Sequence, residues 1–339
     1  MAEFGGKDAR RRDRRRNTKK HFETHPNSRH KKNEGSRDKN FNGHNRQQNS
    51  EIAQNVIKYC KEDKNMYHHI ALSANDSKNY TLDSIKLDQI LKRDKHTEFV
   101  FECDDVVNYI FEVSDLKMQK QEEQEKQDEQ VRKDKIISKS KTACLNFASG
   151  KNICGGFLKG STAQEECLAR ASGLYSVLLS YTDVNPNTYH EKNKRDAKNG
   201  IYHDELIFSP NIPFFRNTYE DDEDDEDEEE QNYNEHVLCS IITCAAVNAG
   251  DALKKNVNKI FIDQKMQERI RLVLYSAAIN NIEHIILGPF GCGVFDNKIE
   301  DVMHMFFSEL NTNFKNVFSK VSFISNKQET VDNMRDYFF

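Results

Sequence analysis

The chain has 339 residues, of which 36% are hydrophobic and 31% are charged, and its formal net charge is −5. This hydrophobic content is low for a compact protein, and the polar excess lies in a few segments, so we expect a folded core of roughly 250 residues. The eight cysteines occur singly, without a C-x-x-C pair, which argues against a disulfide framework or a zinc site and favours an intracellular protein, nuclear or cytoplasmic. No apolar run reaches the length of a membrane span, so we expect no membrane association.

Residues 1–48 are predicted to form a disordered basic arm. They carry 15 Lys or Arg and 6 Asp or Glu, a balance of +9, and too few large apolar residues to build a core. Such an arm can be a nuclear-import signal or a nonspecific anchor for nucleic acid or another polyanion. It can equally be a solubilising tail without a partner.

Residues 49–140 are predicted to be an N-terminal helical extension and a charged linker. Apolar residues at helical spacing indicate a helix from Ser50 to Cys60, capped by Asn49 or Ser50. Residues 97–103 have the pattern of a strand, which residues 104–113 pair with or continue.

The segment from Ala143 to Tyr181 has the pattern strand, glycine-rich loop, helix. An apolar run ends in Asn146. The loop that follows holds four glycines within eleven residues, Gly150, Gly155, Gly156 and Gly160. Thr162 and Glu165 have the spacing of a capping box, so we expect the helix to begin at Thr162, with Glu165 and Glu166 in its first turn.

Two interpretations of Glu165 and Glu166 are open. Acidic residues in a first helical turn usually only cap the helix and complement its dipole. The loop, however, holds more glycines than a simple connection needs, and glycines let backbone N–H groups approach a ligand closely. The second interpretation is therefore a ligand site with both carboxylates at the mouth of the loop.

The rest of the chain alternates strands with helices, interrupted by polar segments. Residues 118–135 have the composition of a solvated helix or flexible link, and residues 185–199 that of a loop. The eleven consecutive acids at 220–230 lie in a predicted disordered insertion over 218–234. This insertion is either a solvated loop or a segment that binds the basic arm in competition with anionic ligands. The predicted strands are 206–208, 212–216, 237–246, 285–287 and 321–324, and the predicted helices are 264–280, 298–310 and a short one at the C-terminus.

This alternation predicts an α/β layered sheet, in which a glycine-rich turn from a strand to a helix is a common phosphate site. The second glycine loop, Gly291 to Gly293, lacks the spacing of a dinucleotide fingerprint or a P-loop. Taken alone, it is more typical of a tight turn than of a binding site.

Three segments resemble the microbial-type poly(ADP-ribose) glycohydrolases of the macrodomain superfamily. In the first segment the matching motifs are Asn-Phe-Ala-Ser at 146–149, Cys-Gly-Gly at 154–156 and Gln-Glu-Glu at 164–166. The second segment runs from Pro210 to Val247-Asn248, and the third contains Gly-Cys-Gly-Val-Phe at 291–295. Their order and spacing match the family, and the resemblance extends in outline from Ser50 to the C-terminus. Cys154 stands where the family has its first loop glycine, so a positive φ there would strain the backbone.

The resemblance implies a three-layer α/β/α macrodomain-like fold with a mixed central sheet, and a catalytic core over residues 141–339. It implies hydrolysis of the ribose-ribose O-glycosidic bonds of poly(ADP-ribose), releasing ADP-ribose, without a metal or cofactor. The expected catalytic residues are Glu166 and Glu165. Glu166 would be the general acid and base, and Glu165, together with Asn146, would position the distal ribose. The expected substrate-binding residues are Asn146, Gly155, Gly156, Gln164, Asn248, Gly291, Cys292, Gly293, Val294 and Phe295.

A single glutamate acting as acid and then as base also agrees with helix geometry. Adjacent helical residues diverge by about 100 degrees around the axis, so Glu165 and Glu166 cannot easily flank one bond as an opposed pair. Two other functions stay open. One is removal of mono-ADP-ribose from modified protein or nucleic acid, and the other is a non-catalytic ADP-ribose-binding module. The expected partner is poly(ADP-ribose) or ADP-ribosylated protein, with nonspecific nucleic-acid contact through the arm.

Overall fold

The computed structural model describes residues 37–114, 140–216 and 236–339. The chain divides into two compact units, residues 1–41 and 42–339. Of the first unit, only the helical backbone from residue 37 onward is described. The predictions for residues 1–36, for the link at 118–135 and for the acidic insertion at 218–234 lie outside the described residues.

Helix α1 spans Arg37–Glu62 and is followed by α2, Lys64–Asp76, whose N-cap Asp63 accepts a hydrogen bond from the Met66 N–H. The predicted helix start at Asn49 or Ser50 is therefore wrong. Ser50 lies inside α1, and its hydroxyl donates to the Leu158 carbonyl (2.9 Å) instead of capping the helix.

Residues 106–114 form a third helix, α3, which corrects the prediction that residues 104–113 pair with or continue a strand. The Asp105 side chain accepts a hydrogen bond from the Val107 N–H (2.8 Å), as an N-cap residue does. The strand before it is confirmed.

A seven-stranded mixed sheet forms the middle of the fold. Its strands are β1 Lys78–Thr81, β2 Glu98–Cys103, β3 Thr142–Phe147, β4 Glu205–Phe214, β5 Val237–Cys244, β6 His284–Leu287 and β7 Lys320–Ser325. They lie in the order β1-β4-β5-β3-β6-β7-β2. The central strands β5, β3, β6 and β7 and the edge strand β2 run parallel, whereas β4 is antiparallel to both β1 and β5.

Strand β4 is continuous, although the sequence predicts two short strands separated by Pro210. The register shifts between Ser209 and Ile212, where Asn211 adopts a positive φ of 53°. A bulge of this kind lets the chain pass a proline without ending the strand.

The remaining helices are α4 Gln164–Ala171, α5 Leu174–Val184, α6 Tyr189–Asp196, α7 Ala249–Lys254, α8 Lys259–Ile279, α9 Ile299–Asn311 and α10 Gln328–Phe338. Helix α6 corrects the prediction of a loop over residues 185–199. Helix α8 begins before the predicted Gln264, because the Asn258 side chain caps it by accepting from the Ile260 N–H. None of the described helices is long and apolar enough to cross a membrane.

Two hydrophobic clusters cover the two faces of the sheet. Leu145 and Ile242 face one cluster with α8, α9 and α10, while their neighbours Cys144 and Ile241 face the other with α1 to α5. This alternation follows from the two-residue period of a strand. The result is the predicted three-layer α/β/α arrangement. Because β5, β3 and β6 are adjacent and parallel, the loops that follow them meet at one edge of the sheet.

Candidate active site

The glycine loop after β3 contains a left-handed turn at Cys154 (φ 52°) and Gly155 (φ 55°). The conditional expectation of strain at Cys154 is therefore met, since a non-glycine residue in this region is disfavoured. The Cys154 side chain is fully buried, and burial together with the nearby Glu165 and Glu166 carboxylates raises the pKa of its thiol well above the usual value. Cys154 therefore stays a neutral thiol beneath the loop.

Glu166 is buried and is held by the loop. The Gly156 N–H donates to its Oε1 at 2.8 Å. Its Oε2 is buried and has no hydrogen-bond partner among the described residues. One carboxylate oxygen is thus fixed by the protein, and the other can serve a substrate.

Glu165 is held by the loop that follows β3. Its Oε2 accepts from the Ser149 N–H (2.7 Å), and its Oε1 accepts from Asn146 Nδ2 (3.3 Å). Burial raises the pKa of Glu165 to about 8, and the Glu166 carboxylate adds to this shift against the hydrogen bonds from Ser149 and Asn146. The Glu165 carboxyl is therefore mostly protonated at neutral pH.

Both glutamates lie in the first turn of α4, as predicted, but Thr162 does not cap this helix. The helix begins at Gln164 after Ala163, which makes no side-chain cap, and Thr162 is exposed. The side chain of Gln164 instead ties the helix to β3. It accepts from the Phe147 N–H (2.9 Å) and donates to the Leu145 carbonyl (2.8 Å). Because both ends of the amide are used, Gln164 orients the glutamates beside it.

The two carboxylates converge on Gly155. A Cβ built on this glycine would lie 2.5 Å from Glu166 Oε1 and 2.9 Å from Glu165 Oε2. Any side chain here would push the carboxylates away. The glycine is therefore required by close approach as well as by its positive φ.

The second glycine loop follows β6. Gly291 has a φ of 73°, and a Cβ on it would collide with the Ala246 side chain. Asn297 Nδ2 donates to the Gly291 carbonyl (3.0 Å) and to the Val247 carbonyl (2.7 Å), which joins this loop to the segment after β5. The loop is thus held rigidly at its base.

The tip of the second loop is open. A Cβ on Gly293 would have no heavy atom within 4 Å, and Val294 is 90% exposed. Cys292 is half-buried, and its Sγ lies 3.7 Å from the Phe290 carbonyl. Phe295 is half-buried, and the centroid of its ring lies 5.9 Å from the centroid of the Tyr202 ring. The tip of the loop, at Gly293 and Val294, is therefore accessible from solvent.

Tyr202 joins the two loops and was missed by the sequence analysis. A Cβ on Gly150, in the first loop, would lie 2.6 Å from the Tyr202 ring, which also faces Phe295 in the second loop. Burial raises the pKa of the Tyr202 hydroxyl, although a hydrogen bond with the Asn248 side chain lowers it. The Asn248 side chain also accepts from the Asp251 N–H (2.9 Å) and so caps α7. No motif in the sequence marks Tyr202, because it approaches the loops only through the fold.

The structure therefore brings the predicted residues together in two adjoining groups. Asn146, Gly155, Gly156 and Gln164 surround the two glutamates. Asn248 and the loop from Gly291 to Phe295 form the second group. Within the described ranges, no three His, Cys, Asp or Glu side chains are grouped so as to hold a metal ion.

A cavity of about 510 Å³ lies elsewhere, between α2, the edge strand β1 and α5. Among the described residues, its lining includes one charged side chain, Lys78, and no carboxylate. The two glycine loops are therefore the candidate active site, since acid-base chemistry needs carboxylates and the described lining of this cavity has none.

A family model described as the microbial-type PARG catalytic domain, where PARG is poly(ADP-ribose) glycohydrolase, matches residues 35–217. The PARG structure from Thermomonospora curvata is 22% identical, with a TM-score of 0.68, covering 86% of this chain and 98% of that one. The PARG structure from Deinococcus radiodurans in complex with ADP-ribose is 27% identical, with a TM-score of 0.59, covering 79% and 96%.

No curated protein sequence matches the chain at a significant level. The family model nevertheless covers more than half of the 339 residues. It contains the strand, the glycine loop and the helix that carry both buried glutamates. The chain therefore belongs to the microbial-type poly(ADP-ribose) glycohydrolase family.

Proposed function

We propose that this protein hydrolyses the ribose-ribose O-glycosidic bonds of poly(ADP-ribose) and releases ADP-ribose, with Glu166 as the general acid and base. The observation that carries this proposal is the state of the Glu166 side chain. It is buried, one oxygen is fixed by the Gly156 N–H, and the other has no partner among the described residues. A buried carboxyl oriented in this way is suited to proton transfer with a bound substrate.

In the first step, Glu166 donates a proton to the leaving ribose oxygen as the glycosidic bond breaks. Positive charge develops on the ribosyl carbon, as in other glycoside hydrolyses. The Glu166 carboxylate then accepts a proton from the water that attacks this carbon. The Gly156 N–H keeps the carboxylate oriented through both steps, since its hydrogen bond is made to the oxygen that does not transfer the proton.

Glu165 has a different role in this proposal. Its two oxygens are already engaged by Ser149 and Asn146. The Asn146 Oδ1 is buried without a hydrogen-bond partner in the described part of the chain, so it remains available to a ribose hydroxyl. We therefore assign Glu165 and Asn146 to positioning the distal ribose.

The diphosphate is assigned to the second loop. Gly291 to Phe295 presents an open tip on a rigid base, and its glycines let backbone N–H groups approach phosphate oxygens. The D. radiodurans relative is described as a PARG in complex with ADP-ribose, which supports the same ligand class here.

The test compares Glu166→Gln with the parent protein on labelled poly(ADP-ribose). The amide keeps the shape of the side chain but cannot transfer a proton, so we expect hydrolysis to fall by a factor of about 100 or more while ADP-ribose still binds by calorimetry. Glu283→Gln, at the amino end of β6 on the opposite edge of the sheet, is the matched control and keeps parental activity. A Glu166→Gln rate within tenfold of the parent would show that another group is the catalyst.

The same assay separates the alternative functions. Mono-ADP-ribosylated protein and nucleic acid are supplied in parallel with the polymer. Faster cleavage of these substrates would make the protein a mono-ADP-ribosyl hydrolase. Binding of ADP-ribose without turnover of any substrate would make it a non-catalytic binding module.

We also propose that the basic arm, residues 1–48, retains the protein on polyanions such as long poly(ADP-ribose) or nucleic acid. Its balance of +9 supports this role. All eight cysteines are free, which favours a reducing compartment, nuclear or cytoplasmic.

A further inference from the structure

Arg269, in the middle of α8, is fully buried and holds two segments of the active site. Its Nη1 donates to the Ala245 carbonyl (3.1 Å), and its Nη2 donates to the Tyr202 carbonyl (2.9 Å). Nη2 also contacts Asp204 Oδ1 at 2.6 Å. One guanidinium group therefore bridges the segment after β5 and the segment before β4.

Tyr189, the first residue of α6, also bonds to Ala245. Its hydroxyl accepts a hydrogen bond from the Ala245 N–H at 2.6 Å. The side chain is fully buried, and burial raises the pKa of its hydroxyl well above the usual value, so the group stays neutral. Both backbone polar groups of Ala245 are thus held by side chains from two different helices.

These contacts lead directly into the substrate site. Ala245 is followed by the segment that ends in Asn248, whose N–H donates to the Gly200 carbonyl (3.0 Å). The Asn248 side chain also bonds the Tyr202 hydroxyl. The Tyr202 ring lies between Gly150 in the first loop and Phe295 in the second. A shift at Ala245 would therefore move the surface between both loops.

The charge of Arg269 is balanced within the fold. Asp204 pairs with it and also with Lys265, whose Nζ lies 2.7 Å from Asp204 Oδ2. Burying a guanidinium ion is costly, and an apolar side chain could fill the same space without that cost. The arginine supplies what an apolar side chain cannot, namely a rigid fork of donors that fixes two carbonyl groups at once.

We propose that Tyr189 and Arg269 are positioning residues of the active site. They act through Ala245 and the Tyr202 carbonyl to fix Asn248 and the rings of Tyr202 and Phe295, against which the ADP-ribose unit binds. This inference rests on the proposed function. In the described part of the chain, neither side chain forms a hydrogen bond to Glu165 or Glu166, so the pair governs substrate binding more than the chemical step.

The test uses Tyr189→Phe and Arg269→Lys in the full chain. Tyr189→Phe removes one oxygen atom and leaves the ring in place. Arg269→Lys keeps the charge for Asp204, but one ammonium group cannot reproduce the fork to both carbonyls. Tyr109→Phe is the matched control. Tyr109 is also a buried tyrosine, and its hydroxyl bonds Ser322 beside His284, at the opposite edge of the sheet from the site.

The readouts are Kd for ADP-ribose by calorimetry, KM and kcat on poly(ADP-ribose), and the melting temperature. We expect both site variants to raise Kd and KM about tenfold while kcat stays within about threefold of the parent. Tyr109→Phe is expected to lower the melting temperature by a similar amount as Tyr189→Phe, with Kd unchanged.

The proposal is overturned if Tyr189→Phe and Tyr109→Phe affect stability and Kd alike. Failure of both site variants to fold would also overturn it, because the contacts would then serve the fold alone. If the parent protein neither binds ADP-ribose nor cleaves the polymer, the proposed function itself fails. If the parent protein is active and neither site variant changes Kd or KM, only the proposed positioning role is wrong.

Discussion

Gly155 lies directly against Glu166. A Cβ on Gly155 would come within 2.5 Å of Glu166 Oε1, the oxygen that also accepts the Gly156 N–H. The backbone of the glycine loop therefore lies directly beside the Glu166 carboxyl group and limits its orientation. Changes in this loop should act on catalysis through the orientation of Glu166.

For this reason, Gly155→Ala is expected to lower kcat at least tenfold and to destabilise the fold by about 1–3 kcal/mol, because it adds both a positive-φ penalty and a contact with the glutamates. Steady-state kinetics on poly(ADP-ribose) and thermal melting measure the two effects. Gly293→Ala is the control for stability, since a Cβ there meets no heavy atom within 4 Å. A Gly155→Ala enzyme with parental kcat would show that the loop does not orient the catalyst.

Gly293→Val tests the diphosphate loop. Its side chain would occupy the open space at the tip, so we expect the affinity for ADP-ribose to fall at least fivefold through blocked backbone approach. The melting temperature should stay within about 1 °C of the parent, because the space is empty in the protein itself. Calorimetry with unchanged affinity would remove this loop from the site.

The raised pKa of Glu165 makes the free energy of unfolding depend on pH. Its pKa is raised from 4.5 to about 8, so the folded protein keeps a proton that the unfolded chain releases. Stability is therefore lost as the pH rises from about 4.5 to about 8. The Glu165→Gln side chain does not titrate, so the variant does not lose stability in this way. At pH 9 we expect its free energy of unfolding to exceed that of the parent by up to about 5 kcal/mol.

Denaturant unfolding at several pH values checks this result. The quantity to compare is the difference between Glu165→Gln and the parent, because that difference cancels the titration of all other groups. Glu283→Gln, which removes a partly exposed carboxylate, serves as the control. A parallel pH profile for Glu165→Gln and the parent would show that the Glu165 pKa is not raised.

Two truncations test where the catalytic unit begins. The sequence places the boundary after Gln48, but α1 begins at Arg37, and the Arg46 carbonyl lies against Gly160 of the glycine loop. Deleting residues 1–36 should leave the hydrolysis of short substrates intact. It should weaken retention on long polymer at low salt, and added salt should erase that difference, since exposed charges are screened over about 10 Å at 0.1 M.

Deleting residues 1–48 should additionally lower the melting temperature and the activity on short substrates. This deletion removes the turn of α1 that packs on Gly160, just before the Ser50 bond to Leu158. Equal activity of the two truncations would place the boundary after residue 48, as the sequence suggests.

The sequence alone determined much of this protein. The alternation of strands with helices predicted the α/β layers, because the periods of the two elements depend only on local geometry. The glycine loop and the Gln-Glu-Glu motif predicted the family and both glutamates in a first helical turn. The sequence also identified Cys154 as a residue that a positive φ would strain, and the structure supplies that φ.

Only the tertiary structure decided how the glutamates differ. They are adjacent on α4, yet Glu165 accepts from Ser149 at the start of the glycine loop and Glu166 from Gly156 further along it, because this loop folds against the first turn of α4. Tyr202, Tyr189 and Arg269 carry no motif. Tyr189 and Arg269 both bond to Ala245, just after β5, and Arg269 also bonds to the Tyr202 carbonyl, because the fold brings α6 and α8 to this segment. Such contacts depend on which elements become neighbours, and local patterns do not contain that information.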